Sequence, residues 1–320
     1  NKRNGIDVDK LDYFMRDSIC CYGRASVDCR ITRLINCMRV INVNGQMQVC
    51  FEEKLAQSLG DIFSLRAKLH KYAYQHRVPR VIDLMITDAL LAAEPHFKIR
   101  AEDGVDRVLT DCADEPNAFI KLGDWIISAI ETSSDDNLKP AQDILQRLNS
   151  RRLYRLAGQA TFLVPTDDTP SEALLDQISA YLPAGIRDEV RRCIAIEFIA
   201  ITYGSSDSRG APDDPISHVS FYNPKTNPNE AFRLPPSRQS PLFSPSDFAE
   251  KTMLVVVRDD DYMEVVMEAF ASWKARYRTI LSTPVPNFNS PAAGKRTRSG
   301  LSMERVERRP SHRIEDPACL

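Results

Sequence analysis

The longest helical pattern in the chain runs from Glu52 to Arg77 (EEKLAQSLGDIFSLRAKLHKYAYQHR) and is expected to stop where Pro79 follows Val78. At 3.6 residues per turn, Leu55, Leu59, Ile62, Phe63, Leu69 and Ala73 fall in one apolar stripe. Arg66 stands in the middle of that stripe, with His70 and Tyr74 four and eight residues further along its edge. A guanidinium aimed into a core is unfavourable unless it is paired. No carboxylate of the same helix shares its row. The partner is expected from elsewhere, either an Asp or Glu of another helix or an anionic ligand.

Before that helix, Asp7 to Ser18 read as a helix starting after Gly5, with Leu11, Phe14 and Met15 on its apolar side. Asp9, Tyr13 and Asp17 share one face, with Lys10 beside them. Two readings stand for that face: a solvated one, and one that binds a metal or a sugar phosphate. Arg30 to Val40 read as a second short helix with Ile31, Leu34, Ile35 and Met38 inside. Alternation over Arg39 to Cys50 around Asn44-Gly45 predicts a β-hairpin. After Pro79 a buried helix is expected over Arg80 to Ala93, with Asp88 inside it, and a short strand over His96 to Arg100.

Pro116 to Thr132 and Pro140 to Leu148 read as helices with proline at the favoured first position. Strands are expected over 153–157, 193–203, 216–222, 231–234 and 253–258, with helices over 171–181 and 262–276 among them. Gly204 to Pro215 and Asn223 to Asn229, the latter containing Lys225, read as polar loops. Helices first and a mixed sheet later predict an α+β fold: a mostly helical portion, then a mixed α/β lobe. From about Thr283 the chain is rich in Pro, Ser and Arg, and a disordered tail is expected. The run Lys295-Arg296-Thr297-Arg298 suits a solvated tail, a localisation signal or a nucleic-acid contact.

Composition narrows the function classes. With 42 Lys and Arg against 44 Asp and Glu, the net charge of −2 indicates no global polyanion-binding surface. No apolar run approaches the roughly 20 residues that span a bilayer, and no signal-peptide pattern occurs, so no membrane partner is expected. The eight cysteines form no C-x-x-C pair and read as reduced thiols of an intracellular protein. The start at Asn1, in a polar turn and without Met, suggests a fragment. Walker A, G-x-G-x-x-G, H-E-x-x-H and G-x-S-x-G are absent. His70 and His76 are six apart and face different sides of their helix, so they would not share a metal.

Four segments are specific enough to name a family: NKRNGIDVDKLDYFMRD, LHKYAYQHRV, IDLMITDALL and ISHVSFYNPKT. Together, in this order and spacing, they resemble the animal HD-domain deoxynucleoside triphosphate triphosphohydrolases that carry an N-terminal sterile alpha motif. The resemblance runs from Asn1 to about Thr283 and matches the C-terminal half of such an enzyme. It implies residues 1–113 as the C-terminal part of an HD domain. It also implies 114–282 as a lobe for oligomerisation and allosteric nucleotide contacts, and 283–320 as the tail. It further implies cleavage of a dNTP to a deoxynucleoside and triphosphate at a site with a divalent metal (Fe, Zn, Mn or Mg). Asp9 matches the last of four metal ligands; the other three, and the catalytic histidine, would lie upstream of Asn1.

The same resemblance puts Lys10 and Arg66 at the substrate triphosphate, Tyr13, Asp17 and Tyr74 at the deoxyribose, and His70 and Gln75 near the phosphates and base. It implies activation by GTP and dNTP with Mg in a homotetramer. Arg151, Leu153 and Arg155 match the guanine-nucleotide segment; Arg33, Lys54, His76, Arg77 and Lys225 match contacts to the activating dNTP. Glu52, Ser58 and Tyr72 depart from that pattern, the segment after Asp17 is longer, and Lys225 follows an inserted proline. Thr283-Pro284 lies near the place of a regulatory phosphothreonine in vertebrate members. Two other function classes are compatible with the residues: an inactive nucleotide-binding or oligomerisation module, and a protein that binds single-stranded nucleic acid. A nuclear or cytoplasmic location is implied.

Overall fold

The hairpin expected around Asn44-Gly45 forms. Strand β1 (Met38–Val43) pairs antiparallel with β2 (Gln46–Glu52), from Met38 opposite Phe51 to Val43 opposite Gln46. Asn44 and Gly45 have φ of 50° and 82°, the left-handed pair that a two-residue turn of right-handed twist requires. This is a computed structural model, and it describes residues 3–23, 31–162, 169–207, 210–240, 245, 247–276 and 280–281. The basic run at 295–298, Thr283-Pro284 and the expected tail lie outside the described residues.

Helix α1 (Val8–Tyr22) ends four residues later than its pattern suggested. Asp7 caps it by accepting from the Lys10 amide at 2.9 Å, and Gly23 ends it with φ of 72° and an amide bonded to Ile19 O. The short α2 (Ile31–Asn36) buries only Leu34; Ile35 is exposed and Met38 belongs to β1, because the hairpin claims the chain there.

The helix expected over 52–77 is composite. β2 runs through Glu52, a 3-10 turn covers Glu53–Leu55, and α3 spans Ala56–Leu69. A π turn at His70–Tyr74 follows, closed by the Gln75 amide on His70 O at 2.8 Å. Helix α4 (Arg77–Ala93) then starts anew, capped by His76, whose Nδ1 accepts from the Val78 amide at 3.3 Å. Pro79 sits inside the first turn of α4, where its missing N–H has no helical partner to lose. α3 buries Leu65 as well as Leu59, Ile62, Phe63 and Leu69, so its buried surface is wider than one stripe.

Strands β3 (Ile99–Arg100) and β4 (Asp106–Arg107) make a small ladder. The helix expected over 116–132 is broken: α5 (Leu109–Ala113) and α6 (Pro116–Phe119) precede α7 (Trp125–Thr132), with Gly123 in the break. α8 (Lys139–Asn149) keeps its early proline. The lobe that follows contains β5 (Arg155–Phe162), α9 (Ser171–Ser179), α10 (Arg187–Cys193), β6 (Ile194–Thr202), β7 (Ser220–Asn223), β8 (Asn227–Arg233), β9 (Ala249–Val257), α11 (Met263–Arg276) and β10 (Ile280–Leu281). The strand expected from 216 is delayed by a 3-10 turn at Pro215–His218, and the loop expected over 223–229 gives up Asn227 onward to β8.

Two four-stranded sheets result. One has the order β1-β2-β7-β8, with β2 and β7 parallel; the other, β10-β5-β9-β6, is antiparallel throughout. α9 and α11 cover one face of the second sheet through Leu175, Ile178, Phe270 and Trp273, and α4 covers the other through Val81, Leu84 and Met85. α1 and α3 share a core with the first sheet through Phe14, Leu59, Phe63, Phe51 and Phe221. The α+β class holds. Among the described residues no helix is long and apolar enough to cross a membrane, and Cys20, Cys21, Cys37, Cys50, Cys112 and Cys193 are free thiols. These residues belong to one unit, Asn1–Thr283.

Candidate functional site

α1 and α3 lie side by side, and their adjoining edges bring Tyr13, Asp17, Arg66, His70, Tyr74 and Gln75 into one cluster. Arg66 is half-buried, and its partner is a backbone carbonyl: Nη1 donates to Thr202 O at the end of β6. No carboxylate pairs with it among the described residues. Burial draws its pKa below the ordinary arginine value, while Tyr13 works weakly in the opposite direction. A neutral acceptor satisfies one of the five guanidinium donors and leaves the charge uncompensated.

Tyr74 donates its hydroxyl to Asp17 Oδ2 at 2.7 Å, joining the π turn to α1. Burial, with that hydrogen bond to the carboxylate next, pushes the Tyr74 phenol well above its usual range, so it is a fixed donor at neutral pH. Asp17 also accepts from Arg16 Nε at 3.1 Å. Tyr13 meets Tyr74 with ring centroids 6.4 Å apart, and His70 meets Tyr74 edge-on at 5.2 Å. Burial first, and then the nearby Arg66 charge, hold His70 below the ordinary histidine pKa, so the ring is neutral. Gln75 Nε2 lies 3.0 Å from His70 Nδ1 and orients the ring. The π turn inserts into the 3.6-residue count, so only contacts, and not periodicity, place Tyr74 and Gln75.

Lys10 sits on the same edge of α1; its Nζ donates to Gly5 O at 2.9 Å and lies 3.9 Å from Asp7. Asp9 is exposed on the first turn. Among the described residues no group of three or more His, Cys, Asp or Glu side chains could hold a metal ion. The described residues do not by themselves make a metal centre.

The expected activator residues are spread over separate surfaces. Lys54 pairs with the buried carboxylate of Glu52, and the neighbouring Glu53 takes Arg238 at 3.2 Å. Both cations line a cleft of about 610 Å³ along α3 that also exposes Asp61, Lys68 and Asp214. His76 and Arg77 line a second cleft, of about 560 Å³, between the π turn and the sheet residues Gln159, Thr161 and Ile199. Ser58, in α3, is partly buried, and Tyr72 is exposed beside Lys71, which pairs with Glu250 at 2.8 Å. Arg33 is exposed on α2, and Lys225 is exposed in the β7–β8 turn, its amide on Asn223 Oδ1. Arg151, with φ of 60°, Leu153 and Arg155 form the α8–β5 corner, where Arg155 lies 3.9 Å from Asp260 and Leu153 packs on the α4–sheet core.

Sequence reasoning missed Thr202 and Gly204. The first acts through its carbonyl, which leaves no residue signature. The second is visible only as the glycine that opens the polar loop after β6.

No family model matches the chain. Curated proteins do. The chain is 32% identical over 326 residues to the human deoxynucleoside triphosphate triphosphohydrolase SAMHD1, covering 100% of this chain and 49% of that protein. It is 34% identical over 279 residues to the Danio rerio protein of that name, covering 85% and 43%. It is 30% identical over 295 residues to the SAMHD1 homolog of Dictyostelium discoideum, covering 91% and 51%. The chain is thus similar, over most of its own length, to proteins named deoxynucleoside triphosphate triphosphohydrolases. It spans about half the length of the curated relatives it matches.

Proposed function

We propose that this chain is the C-terminal part of a hydrolase that converts a dNTP and water into a deoxynucleoside and triphosphate. In that reaction water bonds to the α-phosphorus and the Pα–O5′ bond breaks. The observation that carries the reading is the cluster itself. Two cations, Arg66 and Lys10, are held by backbone carbonyls, Arg66 with no carboxylate partner among the described residues and Lys10 3.9 Å from Asp7, beside a hydroxyl–carboxylate pair that suits a sugar. An uncompensated Arg66 and a loosely paired Lys10 favour a polyphosphate, whose charge they neutralise.

In this reading Arg66 and Lys10 bind the triphosphate, and the neutral His70, oriented by Gln75, lies near the phosphates. Asp17 accepts a hydrogen bond from the 3′-hydroxyl. The rings of Tyr13 and Tyr74 close the space at C2′, which excludes ribose. A divalent metal belongs to the reading through the family and would bind the attacking water. Asp9 would supply one ligand.

Activation by GTP and dNTP in a homotetramer is part of the same proposal, through Arg151, Leu153 and Arg155 on one surface and Arg33, Lys54, His76, Arg77 and Lys225 on others. The Glu52–Lys54 pair supports a weak activator site, because an internal carboxylate competes for the cation. An intracellular location completes the reading. The lack of a metal cluster among the described residues favours one alternative for residues 1–320 alone, a nucleotide-binding module without turnover.

The test is product identity. Residues 1–320 joined to the N-terminal half of the human relative should release deoxyguanosine and tripolyphosphate from dGTP with Mn²⁺, followed by ³¹P NMR; residues 1–320 alone should release neither. Release of pyrophosphate or orthophosphate by the joined enzyme would overturn the assignment.

A further inference from the structure

The contacts that orient Arg66 come from the end of β6 and the turn after it, and they are made by backbone. Thr202 O accepts from Nη1, and Gly204 lies against the guanidinium. A Cβ on residue 204 would stand 3.1 Å from Arg66 Nε, 3.2 Å from Cδ and 3.4 Å from Cζ, closer than ordinary van der Waals contact. Gly204 has φ of 90°, and its amide bonds to Thr202 Oγ1 at 3.2 Å, which closes the turn. On the other side, Gly204 O is 3.6 Å from where a Cβ of Gly5 would stand, and Phe63 is 3.4 Å from the same point. Gly5 O is the acceptor for Lys10 Nζ. The two cations therefore bond to carbonyls of two backbone segments that approach each other at Gly5 and Gly204.

We propose that Gly204 is a positioning residue for anion binding by Arg66, with the Thr202 carbonyl as its second contact. This inference rests on the reading of Arg66 as a phosphate ligand. The physical logic has two parts. A carbonyl fixes the direction of the guanidinium without cancelling its charge, whereas a carboxylate would do both. The missing side chain leaves room for the guanidinium against the turn, so the remaining donors can serve an oxyanion. Because Thr202 closes β6, the orientation of the phosphate ligand is set by the antiparallel sheet.

The probe is tripolyphosphate, titrated calorimetrically into residues 1–320 in EDTA. Gly204→Ala should weaken binding about tenfold or more, the size expected when a charge-assisted hydrogen-bonding group is misplaced. Gly210→Ala is the control for strain: its φ is 84°, and a Cβ there meets nothing within 4 Å, so binding should stay within about twofold. In an Arg66→Ala background, Gly204→Ala should have no further effect. Arg66→Lys keeps the charge but loses the planar head, and should also weaken binding about tenfold; it serves as the test if Gly204→Ala does not fold. Wild-type affinity in Gly204→Ala or Arg66→Lys, with binding lost in Arg66→Ala, would overturn the positioning role alone. Wild-type affinity in Arg66→Ala would overturn the phosphate assignment and the inference with it.

Discussion

Tyr74 and Asp17 are 57 residues apart in the chain and share a 2.7 Å hydrogen bond in which the phenol donates to the carboxylate. The bond ties the π turn after α3 to the last half of α1. Its proton is secure, because burial and the acceptor both raise the phenol pKa. A raised phenol contributes stability that is complete below its ordinary value near 10 and is lost as pH rises through the folded value. Tyr74→Phe should therefore lower stability by about 1 kcal/mol at pH 7 and remove part of the alkaline loss, measured by urea denaturation at pH 7 and pH 10.5. Equal stability of the two proteins at pH 7 would show that the bond contributes nothing.

His70 is expected to titrate below the ordinary histidine value, near 6.5, because burial and Arg66 both oppose its protonation. A depressed histidine destabilises the fold only as pH falls below the unfolded value, and the effect levels off below the folded one. NMR titration of the His70 ring should give a midpoint under 6.5, and Arg66→Ala should move it upward. An unchanged midpoint in that variant would separate the two residues electrostatically.

Asp88 and Arg258 form a two-pronged ion pair, Nε to Oδ2 at 2.6 Å and Nη2 to Oδ1 at 3.0 Å, that joins α4 to the end of β9. Asp88→Asn should destabilise by about 1–2 kcal/mol, since it leaves a partly buried guanidinium without its counter-charge. Tyr154, pushed up to about 12 mainly by burial and then by the Asp88 charge, should ionise at lower pH in the same variant. Thermal melts and absorbance titration at 295 nm read the two effects.

Gly158, at the irregularity where β5 pairs with β9, lies against Phe270; a Cβ there would overlap the ring. Gly158→Ala should destabilise by about 2 kcal/mol or more through overpacking. Adding Phe270→Leu should recover part of the loss if the ring is the obstacle. Chemical denaturation of the single and double variants measures both.

How far the sequence reached depended on the range of the physics involved. The hairpin was legible because Asn44-Gly45 satisfies its turn locally. Leu59, Ile62, Phe63 and Leu69 of α3 were legible because they share one stripe against one core, whereas Leu65 lies outside that stripe. Arg66 was correctly marked as needing a partner, but that partner is a carbonyl 136 residues away and carries no residue signature. The break at His70–Tyr74 was hidden because HKYAY contains no Gly or Pro to mark a departure from the α-helix. Gly23 marked the true end of α1, yet Cys20-Cys21-Tyr22 has no apolar rhythm to lead there. α10 went unseen because RDEVRRC buries only Val190. Of the site, the α1 and α3 residues were legible through family resemblance, whereas the β6 backbone that holds Arg66 was not.

The central claim is that the Lys10–Arg66 cluster binds the triphosphate of a deoxynucleotide. The most direct measurement is calorimetric titration of residues 1–320 with dATP and with ATP in EDTA, for the wild type and Arg66→Ala. The account predicts that dATP binds more tightly than ATP and that Arg66→Ala weakens dATP binding at least about tenfold. Equal binding of dATP by the two proteins would contradict it.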